Sequence, residues 1–435
     1  GNTGNTGSTG NTGSTGGDPM IEFGKLNWRL IGIWVLLSAA GLTAIYSATR
    51  GPVSEFLPGF IVNNFNRQLV WVGASALMII IVQFISPRTF QGAAYIFYGF
   101  GVVLMILTLF AGVEINGSKS WIRVGPVNVQ AGLLTLPATI LAVSNYLTRK
   151  RNITSEDIRT ALTALAFFLV PVLLLLLQNE TGLALVFLLL IPVMLFWSGL
   201  PSGITLLIIS PGIIGYFSIL DWRLGLTSAI LIAGITFVLQ RRMWISLSAL
   251  VLGLVIIGGL EFTFQQVLQP HQIARIQSFA NPSLDPQGSG WNILQAKTAI
   301  GSGGLTGKGF MEGTQTQLRF LPEQWTDFIY CVVAEEFGFL GAGGLILLFT
   351  LLFITLLNMV GSHKNPFAQL VMVGFTFLLF IQFIINIGSA TSLIPIIGIP
   401  LPFISYGGAA FLINSLMIAV CLNFDLYKRS FSIYS

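Results

Sequence analysis

The sequence predicts an all-α, polytopic integral membrane protein with about 10–12 transmembrane helices. A long extracytoplasmic loop containing short or re-entrant helices is expected with it. Three observations lead there. Hydrophobic residues make up 54% of the 435 residues and charged residues only 9%, against about 25% charged in ordinary soluble domains. The apolar residues fall in runs of roughly 20, enough for a helix to cross a bilayer with its own backbone hydrogen bonds closed. The basic residues between the runs gather in alternate loops, which sets a sidedness.

The chain begins with GNTGNTGSTGNTGSTGG, a polar repeat that cannot bury enough surface to order itself. Residues 1–19 read as a flexible Gly/Asn/Thr/Ser linker with the regularity of an engineered one. The native start is expected at Met20 and the membrane domain over 20–435. No cleavable signal peptide is expected, since the first apolar run is long enough to span and stay.

Spans are expected near 28–48, 67–86, 90–112, 130–148, 158–177, 183–199, 204–220, 224–239, 243–264, 340–358, 366–389 and 405–423. Pro201, Pro211 and Gly215 interrupt the closely spaced block from 183 to 264. Such residues are tolerated where neighbouring helices re-satisfy the backbone. Arg149, Lys150, Arg151 and Arg159 flank one loop, Arg241 and Arg242 another, Lys364 a third, and Lys428 and Arg429 the C-terminal tail. Alternating spans put all of them on one side, the cytoplasmic one by the positive-inside rule, together with both termini.

The loop from Glu114 to Val129 and the interval from Gln265 to Trp325 then lie outside. Their basic residues (Lys119, Arg123, Arg275, Lys297, Lys308 and Arg319) run against the charge rule and suggest an anionic ligand. The longest polar stretch, LDPQGSGWNILQAKTAIGSGGLTGKGFMEGTQTQLRFLPEQWTD from Leu284 to Asp327, lies in this region. A structured loop of that length between apolar spans is usually functional. The eleven residues from Thr326 to Glu336 are too short to cross alone and read as a re-entrant or half-inserted helix. Glu335 and Glu336 should face protein or water, because a carboxylate at membrane depth costs about 2.5–3.5 kcal/mol.

Several function classes drop out. Cys331 and Cys421 both sit in apolar segments without metal spacing. His271 and His363 fall on opposite sides of the membrane. GSGGLTGKGF lacks the Ser/Thr that follows lysine in a phosphate-binding loop, which argues against ATP-driven chemistry. Nothing points to nucleic acid. What remains is glycine-rich backbone whose N–H groups could cradle phosphate, with Lys308 or Arg319 as counter-charge. Asp285, in a turn beside Pro286 and Gly288, could serve as a general base. These features fit a transporter, or a transferase whose activated substrate arrives as a lipid-linked diphosphate sugar.

The run DPQGSGWNILQAKTAIGSGGLTGKGF, continuing through GTQTQLRFLPEQWTDFIYCVVAEEFGFLG, resembles the signature region of the SEDS family, the RodA/FtsW-type peptidoglycan glycosyltransferases. IYSAT at 45–49, GSKSWIRVG at 117–125, QNETGLAL at 178–185 and PLPFISYGG at 400–408 agree with it in order and spacing. The resemblance covers essentially the whole chain after Met20 and is nearer RodA than FtsW.

That resemblance implies a multi-pass protein of the bacterial cytoplasmic membrane that polymerises lipid II on the outer face, for cell elongation and shape. Its catalytic loop would run over about 265–326, and Asp285 matches the family's catalytic aspartate. Acting as general base, Asp285 would take the proton of the acceptor GlcNAc 4-hydroxyl; that oxygen attacks C1 of the donor MurNAc, and undecaprenyl diphosphate leaves with inversion. Lys119, Trp121, Arg123, Lys308, Gln317, Arg319 and Glu323 are the candidates for substrate binding, the cations by electrostatics. Glu180, Asp327, Glu335 and Glu336 are further candidates.

The resemblance also implies a class B penicillin-binding protein as partner, with membrane lipids around the chain; no cofactor is assigned with certainty, and assistance by a divalent cation (Mg or Mn) is left open. A lipid II flippase and a non-catalytic scaffold of the elongation or division complex are the alternatives. Two departures bear on this. Leu133 and Leu136 stand where the family pattern has a glutamate and a lysine, and Glu180 stands where it has aspartate.

Overall fold

The computed structural model describes residues 26–51, 59–115, 117–125, 127–149, 158–266 and 289–433, with positions 273, 276, 278 and 279 between the last two. The N-terminal repeat, Lys150, Arg151, Arg275 and Asp285 lie outside the described residues.

Apolar runs close their own hydrogen bonds as helices in the expected order. Helix α1 covers Trp28–Arg50, with the Asn27 side chain accepting from the Leu30 N–H at its start. A short α2 (Gly59–Val62) precedes α3 (Asn64–Val82), and α4 (Pro87–Gly92) precedes α5 (Ala94–Ala111). Then follow α6 (Ala131–Thr148), α7 (Ile158–Leu177), α8 (Thr181–Trp197), α9 (Ser202–Leu220), α10 (Trp222–Gln240) and α11 (Met243–Gln266). The C-terminal part comprises α12 (Ser289–Ser302), α13 (Thr314–Gln317), α14 (Ile329–Ser362), α15 (Pro366–Ala390), α16 (Gly408–Leu426) and α17 (Lys428–Ile433).

Eleven of these helices are long and apolar enough to cross a membrane. Helix α8, 17 residues of nearly unbroken hydrocarbon between α7 and α9, is apolar but shorter than these. The protein is a multi-pass membrane protein. Pro137, Pro171, Pro192 and Pro211 sit inside α6, α7, α8 and α9 without ending them.

Helices α6, α15 and α16 are mostly buried, whereas α3 and α11 present most of their surface outward. The main core gathers side chains such as Leu37, Ile45, Leu136, Phe187, Phe349, Phe375 and Phe424. Helices α9, α10 and α11 carry a second core of their own, made of Ile214, Ala229, Ile232, Ala233 and Ala249.

Two segments differ from the expected form. The outer loop after α5 folds as a three-stranded antiparallel sheet, β1 (Val113–Ile115), β2 (Ser118–Val124) and β3 (Val127–Gln130), in the order β1-β2-β3. Trp121 pairs with Gln130 and Arg123 with Asn128. The expected re-entrant helix starts at Ile329 rather than Thr326, and it is continuous with the following span except for a break at Gly338.

Candidate functional site

The break in α14 organises the outer end of the bundle. In an unbroken helix the N–H groups of Phe339 and Leu340 would donate to the carbonyls of Glu335 and Glu336. Here they donate instead to the carbonyls of Gly304 (2.8 Å) and Leu305 (3.1 Å). The freed carbonyls of Glu335 and Glu336 accept from the N–H groups of Lys308 (3.0 Å) and Gly309 (3.1 Å). The glycine-rich loop thus inserts into the helical ladder and replaces two of its rungs.

Its glycines are required by that approach. A Cβ on Gly303 would lie 2.0 Å from the Ala334 carbonyl oxygen. One on Gly307, whose φ is +85°, would lie 2.0 Å from that of Glu336. Gly338 itself has φ 63°, a conformation that disfavours side chains. This corrects the phosphate-cradle expectation. The N–H groups of Gly307, Lys308 and Gly309 are already engaged by protein carbonyls, so they do not offer a preformed nest for an anion.

Two neighbouring carboxylates lie under this loop. Glu335 is fully buried and pairs with the Lys308 ammonium at 2.7 Å. Its oxygens also accept from the N–H groups of Gln315 and Thr316, both at 2.9 Å, and from the hydroxyls of Thr314 (3.2 Å) and Ser302 (3.4 Å). One side chain therefore holds α12, the glycine loop and α13 against α14. Glu336 is also buried and turns toward α1. Its Oε1 accepts from the Ser47 hydroxyl and from Gln317 Nε2 at 2.9 Å. The Met311 N–H faces this carboxylate, yet Oε2 completes no hydrogen bond. The expectation that both acids face protein or water is met by protein in each case.

The segment from 317 to 327 clasps α1 and the loop before α16. Gln317 donates to the Ser47 hydroxyl (2.9 Å) and carbonyl (3.3 Å), and Gln324 to the Ala48 carbonyl (3.0 Å). The carbonyls of Trp325, Thr326 and Asp327 accept from the Tyr406 N–H (2.8 Å), the Ser405 hydroxyl (2.6 Å) and Asn386 Nδ2 (3.1 Å). Asn386 also donates to the Ile399 carbonyl at 2.9 Å. PLPFISYGG is thereby the docking partner of the WTD segment. Arg319 has a left-handed φ of 60°, and its guanidinium sits 6.0 Å from the Trp325 ring centroid. Burial lowers its pKa from the ordinary guanidinium value. Glu323 is exposed and accepts from the Thr326 hydroxyl at 3.3 Å.

The sheet brings a second group together. Alternation along β2 puts Lys119, Trp121 and Arg123 on one face and Ser118 and Ser120 on the other, where the serines are buried. Lys119 Nζ donates to the Phe110 carbonyl (3.3 Å) and Arg123 Nε to Asn128 Oδ1 (3.4 Å). On the buried face Ser120 donates to Glu180 Oε2 at 3.2 Å and accepts from Gln130 Nε2 at 3.3 Å. Gln178 ties the end of α7 to α5 through the Met105 carbonyl and the Thr108 hydroxyl, both at 2.8 Å.

The predicted site residues therefore fall into three groups. Lys308, Gln317, Glu335 and Glu336 meet at the helix break; Arg319, Glu323 and Asp327 lie in the clasp; Lys119, Trp121, Arg123 and Glu180 belong to the sheet. Ser47, Gln324, Asn386, Ser120 and Gln130 were missed as participants, although Ser47 lies within the IYSAT motif. Leu133 and Leu136 are buried in the main core. Among the described residues no group of three or more His, Cys, Asp or Glu side chains is placed to hold a metal ion.

Comparison with known proteins bears on the family and the fold. The sequence profile of the FtsW/RodA/SpoVE cell cycle proteins matches residues 27–225 and 218–430. The peptidoglycan glycosyltransferase RodA of Treponema pallidum is 29% identical over 433 residues, covering 93% of this chain and 98% of that protein. The stage V sporulation protein E of Bacillus subtilis is 31% identical over 404 residues, with 92% and 97% covered. Among solved structures, one chain of a peptidoglycan synthase complex that coordinates polymerization and crosslinking superposes with a TM-score of 0.68 at 26% identity, covering 93% of this chain and 98% of that one. The rod shape determining protein RodA of Thermus thermophilus superposes with a TM-score of 0.60 at 26% identity, with 93% and 97% covered. On sequence and architecture alike, this chain belongs to the FtsW/RodA/SpoVE family of cell cycle proteins.

Proposed function

We propose that this protein is a RodA-like peptidoglycan glycosyltransferase that polymerises lipid II at the outer face of the bacterial cytoplasmic membrane, with both termini cytoplasmic. The observation that carries the reading is the lock at the helix break. Glu335 fixes α12, the glycine loop and α13 at one end of the bundle, opposite Lys364 and Lys428. Helix α12 begins four residues after Asp285 in the chain, so the lock anchors the C-terminal side of the segment that bears the proposed base. The names of the relatives, peptidoglycan glycosyltransferase among them, support the same activity.

In this reading Asp285 accepts the proton of the acceptor 4-hydroxyl as that oxygen attacks C1 of the donor. Undecaprenyl diphosphate departs, and its developing charge needs cations held nearby. Arg319, with no carboxylate bonded to it among the described ion pairs, and the outward row Lys119, Trp121 and Arg123 are the groups proposed to meet it. Lys308 is assigned to the loop instead, because its ammonium is tied to Glu335. A divalent cation, Mg²⁺ or Mn²⁺, is kept as a proposal to be tested by chelation. Among the described residues no cluster of acidic, histidine or cysteine side chains builds a site for it.

The partner proposed is a transpeptidase of the class B penicillin-binding type, supported by the structural relative's membership of a synthase complex. A scaffold without activity is favoured by one observation only, the apolar Leu133 and Leu136. The deciding experiment is polymerisation of purified lipid II by this protein with its transpeptidase, for wild type and Asp285→Asn. Product from wild type and none from the variant is expected. Equal product from both would remove the base assignment, and none from either would give the scaffold its place.

A further inference from the structure

We infer that Tyr216 is a positioning residue that ties the chain leading to Asp285 to the main bundle. Helices α9, α10 and α11 pack around Ile214, Ala229, Ile232, Ala233 and Ala249, separately from the rest. Helix α11 leads into the segment that contains Asp285, whereas α12, on its other side, plugs Ala296 and Ala299 into the main core. The two ends of that segment therefore rest on differently packed units.

Tyr216 stands two residues beyond Ile214, toward the outer end of α9. Its hydroxyl donates to the Leu393 carbonyl at 2.8 Å, just after α15 of the main bundle. Leu393 is itself a fixed anchor. Its N–H and that of Ile394 both donate to the Gly388 carbonyl, at 2.7 Å and 3.0 Å. The tyrosine ring also contacts Phe279, with centroids 6.1 Å apart and planes tilted by 46°. Phe279 precedes Asp285 by six residues, and its neighbour Ser278 is buried. A single side chain thus touches the smaller unit, the outer loop of the main bundle and the approach to the proposed base. An interfacial tyrosine anchored only to headgroups would need neither contact.

The inference rests on the glycosyltransferase reading for its kinetic arm and stands without it for its structural one. The full chain with its transpeptidase in lipid nanodiscs would be compared as wild type, Tyr216→Phe and Phe279→Ala. Tyr216→Phe removes one hydrogen bond and leaves the ring in place. We expect deuterium uptake to rise in peptides from 267–300, and kcat on lipid II to fall about 3–10-fold with KM little changed, the factor one such bond commands. Phe279→Ala should move both readouts in the same direction. Unchanged uptake in both variants overturns the inference. A rise spread equally over α14 and α15 overturns it too, as does raised uptake with unchanged kcat. A wild-type protein that makes no product removes the glycosyltransferase reading, while the uptake comparison still decides the tie.

Discussion

Replacing Glu335 by glutamine weighs the buried lock directly. The carboxylate has no spare oxygen: Oε1 serves the Lys308 ammonium and the Gln315 N–H, and Oε2 serves the Thr316 N–H. A glutamine amide must turn its NH2 toward one of these donors, and a buried N–H left without an acceptor costs about 1–3 kcal/mol. Lys308 loses its counter-ion at the same time. Breaking a buried pair from one side costs about 3–5 kcal/mol. The lysine keeps 24% of its side-chain surface exposed, so water recovers part of its charge and the lower end, about 3 kcal/mol, is the expected loss. That corresponds to about a 100-fold rise in the opened form of the loop. Limited proteolysis between Gly301 and Gln317 in detergent reads it, because cleavage follows the open population when reclosing is fast. Glu336→Gln is the control. Both partners of Glu336, the Ser47 hydroxyl and the Gln317 amide, bond to Oε1, which a glutamine can keep as its amide oxygen while its NH2 takes the place of Oε2, so the loss should stay below about 1.5 kcal/mol. Cleavage of Glu335→Gln within twofold of wild type, or a larger effect from Glu336→Gln, would refute the reasoning.

Asp285→Asn keeps size but not proton affinity, so glycan product should fall by about 10²–10⁴, measured on labelled strands. A reporter fused after Ser283 or Gln315 should read extracytoplasmic and one after Arg151 or Lys364 cytoplasmic; a cytoplasmic signal at Gln315 would overturn the orientation. Gly307→Ala should lower the thermal midpoint more than Gly304→Ala. Both positions have positive φ, but only at 307 does the new Cβ meet a carbonyl oxygen, at 2.0 Å, while at 304 it meets open space.

The membrane spans were legible because their signal is local. An apolar run of roughly 20 residues has one way to satisfy its backbone in lipid. The span expected near 183–199 is observed as Thr181–Trp197 and that near 366–389 as Pro366–Ala390. The sheet after α5 was missed although its cues are present: alternation through Ser118-Lys119-Ser120-Trp121 and turns at Gly117 and Gly125, both at positive φ. Two of its strands are only three and four residues long, too short for a period to stand out. The glycine loop was misread for a different reason. Composition tells that its N–H groups are available, but their partners lie about 30 residues ahead, at a helix break set by the single residue Gly338. The pairing of Lys308 with Glu335 is equally non-local, and only the placement of two acids within an apolar run hinted at a buried partner.

Leu133 and Leu136 test how far the family pattern may be carried. They lie three residues apart near the start of α6, and so share a face. That end of α6 is closed by hydrocarbon. A Cβ on the adjacent Gly132 would lie 2.5 Å from a methyl of Leu183 and 2.9 Å from one of Leu175, so α6, α7 and α8 meet there without room for a hydrated charge. A glutamate and a lysine put back at 133 and 136 would have to be desolvated together, at several kcal/mol per ion before their attraction is counted. Both leucines are buried in the main core, so they fill this part of the bundle. Acidic groups in the outer half of the bundle include Glu180, bonded to Ser120, Glu335 with Lys308, and Glu336, bonded to Ser47 and Gln317. If the protein polymerises lipid II, it does so without an acid–base pair in α6, and proton transfer then rests on the loop that bears Asp285. Activity in wild type together with its loss in Asp285→Asn would establish both points in one experiment.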